Sequence, residues 1–301
     1  MVAARSPARQ ALADLKRDAI GGAVRLLPDV WSLAIQYWRA HHRWPDLRAP
    51  KRFTEKIQWL KLHGDLAAQW EWVDKIEAKK RVAATLGERW ITPTLWHGPA
   101  LPPRAERTWP MPYVIKANHG SGWCRHVRRE EDQDWPAIEK DCASWLRQTW
   151  HPELRERQYD AIPRQLLVEP RLGGDADVLP YDYKFHVFGG RAAYVGVSVD
   201  RLQGVKIAQL DRDWKPAPFV MDAKLEVAAA PARPAHYDEM LAAAELLGKP
   251  FPYARIDFYD LPDGPRFGEI TLTPHSGHQR IGPDEWDARI GDLLVLPVRP
   301  E

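Results

Sequence analysis

The sequence predicts an α+β (mixed α/β) fold, in which strand pairs joined by tight turns alternate with amphipathic helices. Three observations carry this. Tyr253–Leu261 and Arg266–Thr273, rich in aromatic and β-branched residues, flank Pro262-Asp263-Gly264. Tyr183–Phe188 and Arg191–Val199 flank Gly189-Gly190 in the same way, so both stretches read as β-hairpins. Ahead of both lies Asp134–Trp150, where Trp135, Ile138, Cys142 and Trp145 recur at helical spacing. There is no internal repeat, and strands joined by hairpins are not those of a doubly wound parallel sheet.

Taken in order, residues 8–44 predict two helices broken near Gly21-Gly22 and Pro28. The second, from Trp31, is amphipathic and basic. Packing on its own domain is the use expected of it, with contact to a membrane surface or a partner as the alternative. A helix from Thr54 as N-cap sets Ile57 and Leu60 on one face. A longer one over about Leu66–Leu86 repeats Trp70, Val73, Ile76, Lys80 and Ala83 at helical spacing and is closed by Gly87. Ile91–Trp96 reads as a short strand and Pro99–Pro112 as a proline-rich connection.

Tyr113–Lys116 is a buried strand that delivers a lysine to the glycine loop Ala117–Trp123. Glycines let backbone N–H groups point at an anion and the lysine supplies charge, so the pair suits phosphate. It is not a P-loop, because the lysine precedes the loop. Gln165–Leu172 is a strand carrying Glu169, followed by a Gly173-Gly174 turn. His236–Leu247 and Pro283–Leu296 complete the helices.

The chemistry concentrates in the hairpin at 253–273. Alternation puts Tyr253, Arg255, Asp257 and Tyr259 on one side of the first strand, and Phe267, Glu269, Thr271 and Thr273 on one side of the second. A turn centred on Asp263 sets Asp257 opposite Glu269 and Arg255 opposite Thr271. Carboxylates with Cβ atoms roughly 5 Å apart repel and call for a cation, and Mg²⁺ fits. The plainer reading is a solvated hairpin face, and a one-residue slip would separate the acids. The tail Thr273-Pro274-His275-Ser276-Gly277, a polar turn that a solvated hairpin does not need, favours a site.

With 301 residues there is room for two or three subdomains. A net charge of +2 is too small to argue for nucleic acid. Two cysteines, Cys124 and Cys142, make neither a disulfide framework nor a metal site, which fits a reducing compartment. No run reaches the ~18 apolar residues of a transmembrane helix. Met1–Arg17 lacks the apolar core of a signal peptide, so a cytoplasmic location is expected.

Several short stretches occur together in one order: Phe53-Thr-Glu-Lys-Ile-Gln-Trp-Leu-Lys, Asp74-Lys75, Val114-Ile-Lys-Ala-Asn-His-Gly-Ser-Gly122, Arg157-Gln-Tyr159, Leu167-Val-Glu169, Asp182-Tyr-Lys-Phe185, Arg255-Ile-Asp257 and Phe267-Gly-Glu-Ile-Thr-Leu-Thr-Pro-His-Ser-Gly277. The set resembles the ATP-grasp superfamily, most closely its TupA-like branch, named for a protein of teichuronopeptide synthesis. The resemblance implies a mainly helical region 1–92 and ATP clamped between two α+β subdomains, a lid subdomain 93–172 and a C-terminal subdomain 173–301 with the metal acids. It implies that Lys116 contacts the α/β-phosphates and that the loop with His119, Gly120, Ser121 and Gly122 folds over the β/γ end. Lys75 joins the nucleotide site, Glu169 meets the adenine amino group, and the backbone near Leu172 completes the adenine hinge. Asp257, Glu269 and Thr271 would hold metal, Arg255 would steady an acyl phosphate, and Lys184 would meet a phosphate or substrate carboxylate. The chain departs from the family at three points. Thr271 stands where many members have Asn, Lys79 where an arginine is expected, and His275 where glycine is more usual. His275 and His278 are therefore candidates for acceptor recognition, against the structural role a lone histidine usually has.

The function so implied is an ATP- and Mg²⁺-dependent carboxylate–amine ligase of envelope or polysaccharide synthesis, acting on a small-molecule or glycan carboxylate and an amine. No nucleic-acid partner and no transmembrane segment are expected, and peripheral membrane contact would run through the N-terminal helices. A glycosyltransferase is the alternative, with Asp175-Ala-Asp177 at the spacing of a nucleotide-sugar acid pair. A non-catalytic nucleotide-binding partner is the other, against which Lys116, Arg255, Asp257 and Glu269 together argue.

Overall fold

The computed structural model describes residues 22, 24–174, 179–199 and 205–298. The first expected N-terminal helix and Asp175-Ala-Asp177 lie outside them. The strands sort into two sheets. The smaller contains β1 (Trp96–Gly98), β2 (Tyr113–Ala117), β3 (Cys124–Val127) and β4 (Leu166–Pro170) in the order β1-β4-β2-β3, antiparallel throughout. The larger contains β5 (Asp182–Phe188), β6 (Arg191–Val199), β7 (Lys206–Asp211), β8 (Glu226–Val227), β9 (Tyr253–Leu261) and β10 (Gly264–Thr271). Their order is β10-β9-β5-β6-β7-β8, with only β7–β8 parallel. Both hairpins form, and Gly189 and Gly190 turn theirs at φ of 53° and 83°. The short β7 and β8, with no clear alternation, are additions to the predicted set.

The helices are α1 (Asp29–His41), α2 (Phe53–His63), α3 (Trp70–Val73), α4 (Glu77–Leu86), α5 (Trp135–Arg147), α6 (Tyr237–Gly248) and α7 (Glu285–Leu293). α5 begins as its sequence implies: the Asp134 side chain accepts the Ala137 N–H at 3.1 Å.

Three local expectations are corrected. Thr54 lies inside α2 rather than capping it. Its hydroxyl donates to Asp287 of α7 at 2.7 Å, while Glu55 accepts the N–H groups of Lys51 and Arg52, each at 3.1 Å. Ile91–Leu95 is not strand; β1 starts at Trp96, where a partner in β4 is available. The helix expected over Leu66–Leu86 is broken. Asp74 accepts the N–H groups of Ile76 at 2.6 Å and Glu77 at 3.1 Å, which ends α3 and starts α4. Gly87 closes α4 as expected, at φ of 96°.

The core has three parts. Val73, Val82, Met240 and Leu247 from α3, α4 and α6 pack on Phe185, Val195, Ile256 and Phe258 of the larger sheet. Phe53, Ile57 and Ile290 of α2 and α7 close over Phe188 and Tyr253. Ile138, Cys142 and Trp145 of α5 cover Tyr113, Ile115 and Val168 of the smaller sheet. Each side chain of this size contributes ~1.5–3 kcal/mol on burial. α2, α3 and α4 therefore complete the larger sheet's core, which fixes their side chains against β9 and β10.

Candidate active site

The two acids of the hairpin do oppose each other: Glu269 pairs with Asp257, and Thr271 with Arg255. The route is less simple than the sequence implies. Leu261 pairs with Gly264, so the hairpin starts one residue out of the register the acids need, and a bulge between Phe267 and Glu269 absorbs Gly268 and restores it. Phe267, expected beside Glu269, pairs instead with Phe258 and is buried in the core. A Cβ on Gly268 would lie 3.1 Å from the Asp257 carbonyl oxygen and 3.2 Å from the Tyr259 ring, so the bulge favours glycine.

Charge is arranged tightly around this pair. Arg255 donates to both oxygens of Asp257 at 2.7 Å, and Lys184, directly across from Asp257 on β5, donates to Oδ2 at 2.7 Å. Asp182 holds Lys184 from its other side. Arg255 Nη2 also reaches Glu269 Oε1 at 2.5 Å, and the Thr271 hydroxyl donates to that oxygen at 3.2 Å. Burial disfavours the charged form of Asp257, but Arg255 and Lys184 outweigh it and hold the carboxyl below the usual range. Burial likewise opposes the Lys184 charge, and Asp257 and Asp182 outweigh it, raising its pKa. In the structure, then, the cation between the carboxylates is Arg255.

One nitrogen touching both carboxylates keeps the facing oxygens within about 5 Å, near the ~4 Å that a shared Mg²⁺ at ~2.1 Å from each would need. The Glu269 side chain is 40 % exposed, whereas that of Asp257 is 3 % exposed. Two carboxylates with substrate phosphates fit one Mg²⁺, held chiefly by Glu269. Thr271, expected as a third ligand, supports Glu269 through its hydroxyl. Among the described residues no group of three His, Cys, Asp or Glu side chains could hold an ion.

A cavity of about 180 Å³ lies between the two sheets, lined by Lys79, Lys116, Glu169, Leu172, Tyr259 and Gly268 among others. Lys116 on β2 donates to Glu169 at 2.7 Å, and Lys79 on α4 forms an ion pair with the other oxygen. Burial pushes the Glu169 carboxyl up, but Lys116 and Lys79 more than offset this and hold it at about 2. Two ammonium groups against one carboxylate leave the cavity floor positive. The sequence marks Lys79 as standing where the family has an arginine but does not assign it to the site; that position was the available signal.

The break at Asp74 also positions Lys75. Its ammonium donates to the Gly120 carbonyl, and its backbone N–H to the Asn118 carbonyl at 3.4 Å. Asn118 anchors the glycine loop from below: its amide donates to Asp74 at 2.7 Å and its side-chain oxygen accepts the Gln165 N–H at 2.8 Å. His119 departs from expectation. It is buried, with Nε2 3.2 Å from the Trp145 carbonyl and its ring edge-on to Trp123, so it faces α5 and not the cleft. A Cβ on Gly120 would come within 2.6 Å of the Trp123 ring, which requires glycine there. Ser121 and Gly122 form the exposed tip of the loop.

A second cavity, about 390 Å³, is lined by Lys75, Ser121, Glu156, Arg255, Glu269 and His278 among others. Lys75, Gly120 and Ser121 thus border this cavity and not the first, while Lys184 and Asp257 line neither. Gly268 borders the first cavity and its neighbour Glu269 the second. Glu156 accepts the Thr273 hydroxyl and the Trp150 indole N–H, and burial raises its pKa. Beneath the turn, buried Lys61 donates to the Ser276 carbonyl at 2.6 Å, and burial pushes its ammonium down to about 8. His275 and Ser276 take left-handed φ of 47° and 57°, a strain that the surrounding packing must hold. His278 Nε2 is buried without a hydrogen-bond partner. Nothing local in the sequence marks Glu156, and Lys61, the last residue of the Phe53–Lys61 stretch that carries the resemblance, has no role assigned by it.

No curated protein matches the chain significantly. Among solved structures, D-alanine–D-alanine ligase from Bacillus anthracis is similar at 14% identity, covering 71% of this chain and 63% of that one, with a TM-score of 0.42. The Helicobacter pylori enzyme is 15% identical over 75% of this chain and 61% of that one, with a TM-score of 0.44. The ATP-grasp ligase PsnB, complexed with a minimal precursor, is 13% identical over 77% and 61%, with a TM-score of 0.40. The chain thus spans less than two thirds of the length of these ligases. The family model described as TupA-like ATPgrasp matches residues 55–295, which takes in both sheets, both cavities and the acidic hairpin, and the chain belongs to that family.

Proposed function

We propose that the protein is an ATP-dependent carboxylate–amine ligase that works through an acyl phosphate. The observation that carries this reading is the pair of cavities meeting across Gly268 and Glu269. The first, with its two lysines, is smaller than the ~300 Å³ of a typical ligand cleft, so a nucleotide in it would extend its phosphates toward the second. The adenine would lie against Glu169 and Leu172, and Lys116 and Lys79 would meet the phosphates. Ser121 and Gly122 are the part of the loop free to close, over phosphates fixed from below by Lys75.

Bound Mg²⁺, held by Glu269 with Asp257, would neutralise phosphate charge. The substrate carboxylate, steadied by Arg255, attacks the γ-phosphorus; the new O–P bond forms as the bond to ADP breaks. The amine then attacks the acyl carbon, the bond to phosphate breaks, and the amide is left. One proton of the incoming ammonium departs with the phosphate. Glu156, a buried carboxylate on the second cavity, is the group to accept the other. His278, with its unpartnered Nε2, would orient the amine. Arg255 and Lys75 supply positive charge where the acyl phosphate forms; such preorganised charge is the main lever in phosphoryl transfer. The substrates we infer are a carboxylate and an amine of cell-envelope or polysaccharide synthesis, a class that rests on the family name.

The test is to incubate the protein with ATP, Mg²⁺, hydroxylamine and a panel of carboxylates that includes uronic acids and amino acids. A ligase yields hydroxamate together with ADP and phosphate. Arg255→Ala should lose hydroxamate far more than ATP binding. Release of nucleoside diphosphate from a sugar nucleotide without ATP would instead establish the glycosyltransferase alternative.

A further inference from the structure

The ligase reading leaves α1 without a role, and the structure gives it an unusual surface. Leu33, Ala34, Tyr37 and His41 are buried against the domain, and Tyr37 is hydrogen-bonded to Thr54 at 3.0 Å. That fixes the rotation of the helix. The outward face carries Trp31, Ile35 and Trp38 at helical spacing, with Trp31 60% and Trp38 44% exposed, and Leu27 is exposed just before the helix. Trp44, also 60% exposed, stacks on Trp38 with ring centroids 6.0 Å apart and extends the stripe beyond the helix end. These are the large exposed tryptophans among the described residues, although the chain has 15. The helix cannot turn to hide them.

Charge is segregated to the same end of the chain. Residues 1–52 hold ten Lys and Arg against four Asp and Glu, a net of +6, whereas the whole chain is only +2, so the rest is −4. Of the acids near the stripe, Asp29 is bound by Arg155 at 2.9 Å and Arg157 at 3.0 Å. Arg39, next to Trp38 on the helix, is exposed, as are Arg48 and Lys51 in the segment that follows Trp44. Tryptophan flanked by arginine and lysine is the composition of a helix lying in a membrane interface, where the indole sits at headgroup level and the cations meet anionic lipid. A second copy of the chain is the poorer occupant, because a two-fold interface would set this positive surface against itself.

We propose that the α1 face docks the protein peripherally on an anionic membrane surface, with Trp31, Trp38 and Trp44 entering the interface and the flanking cations meeting lipid phosphate. Nothing in this depends on the ligase reading. His41 Nε2 lies 3.1 Å from the Gly277 carbonyl, so the docking helix backs directly on the turn that lines the second cavity.

The test is co-sedimentation of the full chain with vesicles. The expected result is binding to phosphatidylcholine vesicles containing roughly a quarter phosphatidylglycerol, weak binding to pure phosphatidylcholine, and release at about 0.5 M salt. The triple variant Trp31→Ala/Trp38→Ala/Trp44→Ala should lose about tenfold or more in partitioning. Its circular dichroism and melting midpoint should stay unchanged, because the three side chains are exposed. Equal binding by the triple variant, or no binding by the wild type to anionic vesicles, would overturn the proposal. So would sedimentation analysis showing a dimer that the triple variant abolishes.

Discussion

At the scale of single residues, the two acids that matter most sit in opposite environments. Glu269 is open to the cleft and shares Arg255 with buried Asp257. Glu269→Gln keeps the shape and removes one charge, so the fold should persist while ATP turnover falls by about a hundredfold or more. Steady-state kinetics beside a thermal melt will check this, and full activity would remove Glu269 from the site. Glu169 is buried between Lys79 and Lys116, and its carboxyl is held at about 2 against an ordinary 4.5. A carboxyl depressed in the folded state adds stability above its unfolded pKa, and that stability is lost as pH falls through the folded value. Wild-type protein should therefore weaken between about 4.5 and 2 more steeply than Glu169→Gln. At neutral pH the variant should already be less stable by about 3 kcal/mol, since the partly buried ammonium groups of Lys79 and Lys116 lose the buried carboxylate that pairs them. Urea unfolding at several pH values measures both effects.

At the scale of elements, the bulge in β10 decides which way Glu269 points. The turn at Pro262-Asp263 starts the hairpin one residue off, and Gly268 is the extra residue that restores the register. Gly268→Val brings a branched side chain against the Asp257 carbonyl and the Tyr259 ring, which are already 3.1 and 3.2 Å from a Cβ. The expected outcome is a loss of about 1–3 kcal/mol together with most of the turnover. Wild-type turnover in that variant would show that the bulge is incidental. The break between α3 and α4 works in the same way. Asp74 interrupts a periodic helical pattern and brings Lys75 under the Gly120 carbonyl while leaving Lys79 in the first turn of α4.

At the scale of the molecule, the site belongs to neither sheet alone. Lys116 and Glu169 come from the smaller sheet, and Tyr259, Gly268 and Glu269 from the larger. A nucleotide bound between them should hold the two together. ATP at about a hundred times its dissociation constant should stabilise the fold by about 2.7 kcal/mol and raise the melting midpoint by a few degrees. Lys116→Ala should lose most of that shift, and calorimetry should show weaker ATP binding. An unchanged shift in the variant would count against Lys116 as a phosphate contact.

Legible in the sequence alone are the α+β class, both glycine-bearing hairpins and the strand that presents Lys116 to a glycine loop, whereas the facing of Asp257 and Glu269, expected from a turn centred on Asp263, is reached through the Gly268 bulge. The first three depend on residues a few positions apart, whose alternation and turn chemistry survive in a linear text. The rest depends on contacts between distant parts of the chain. Asp287 meets Thr54 across 233 positions and Ser276 meets Lys61 across 215, so neither the start of α2 nor the floor of the second cavity has a local signature. The glycine loop looked like one phosphate-facing unit, yet packing against α5 turned His119 inward and left only its tip exposed. The carboxylates called for a cation, and the fold supplied Arg255 and Lys184, because burial makes an uncompensated charge costly and cross-strand neighbours are the nearest to compensate it.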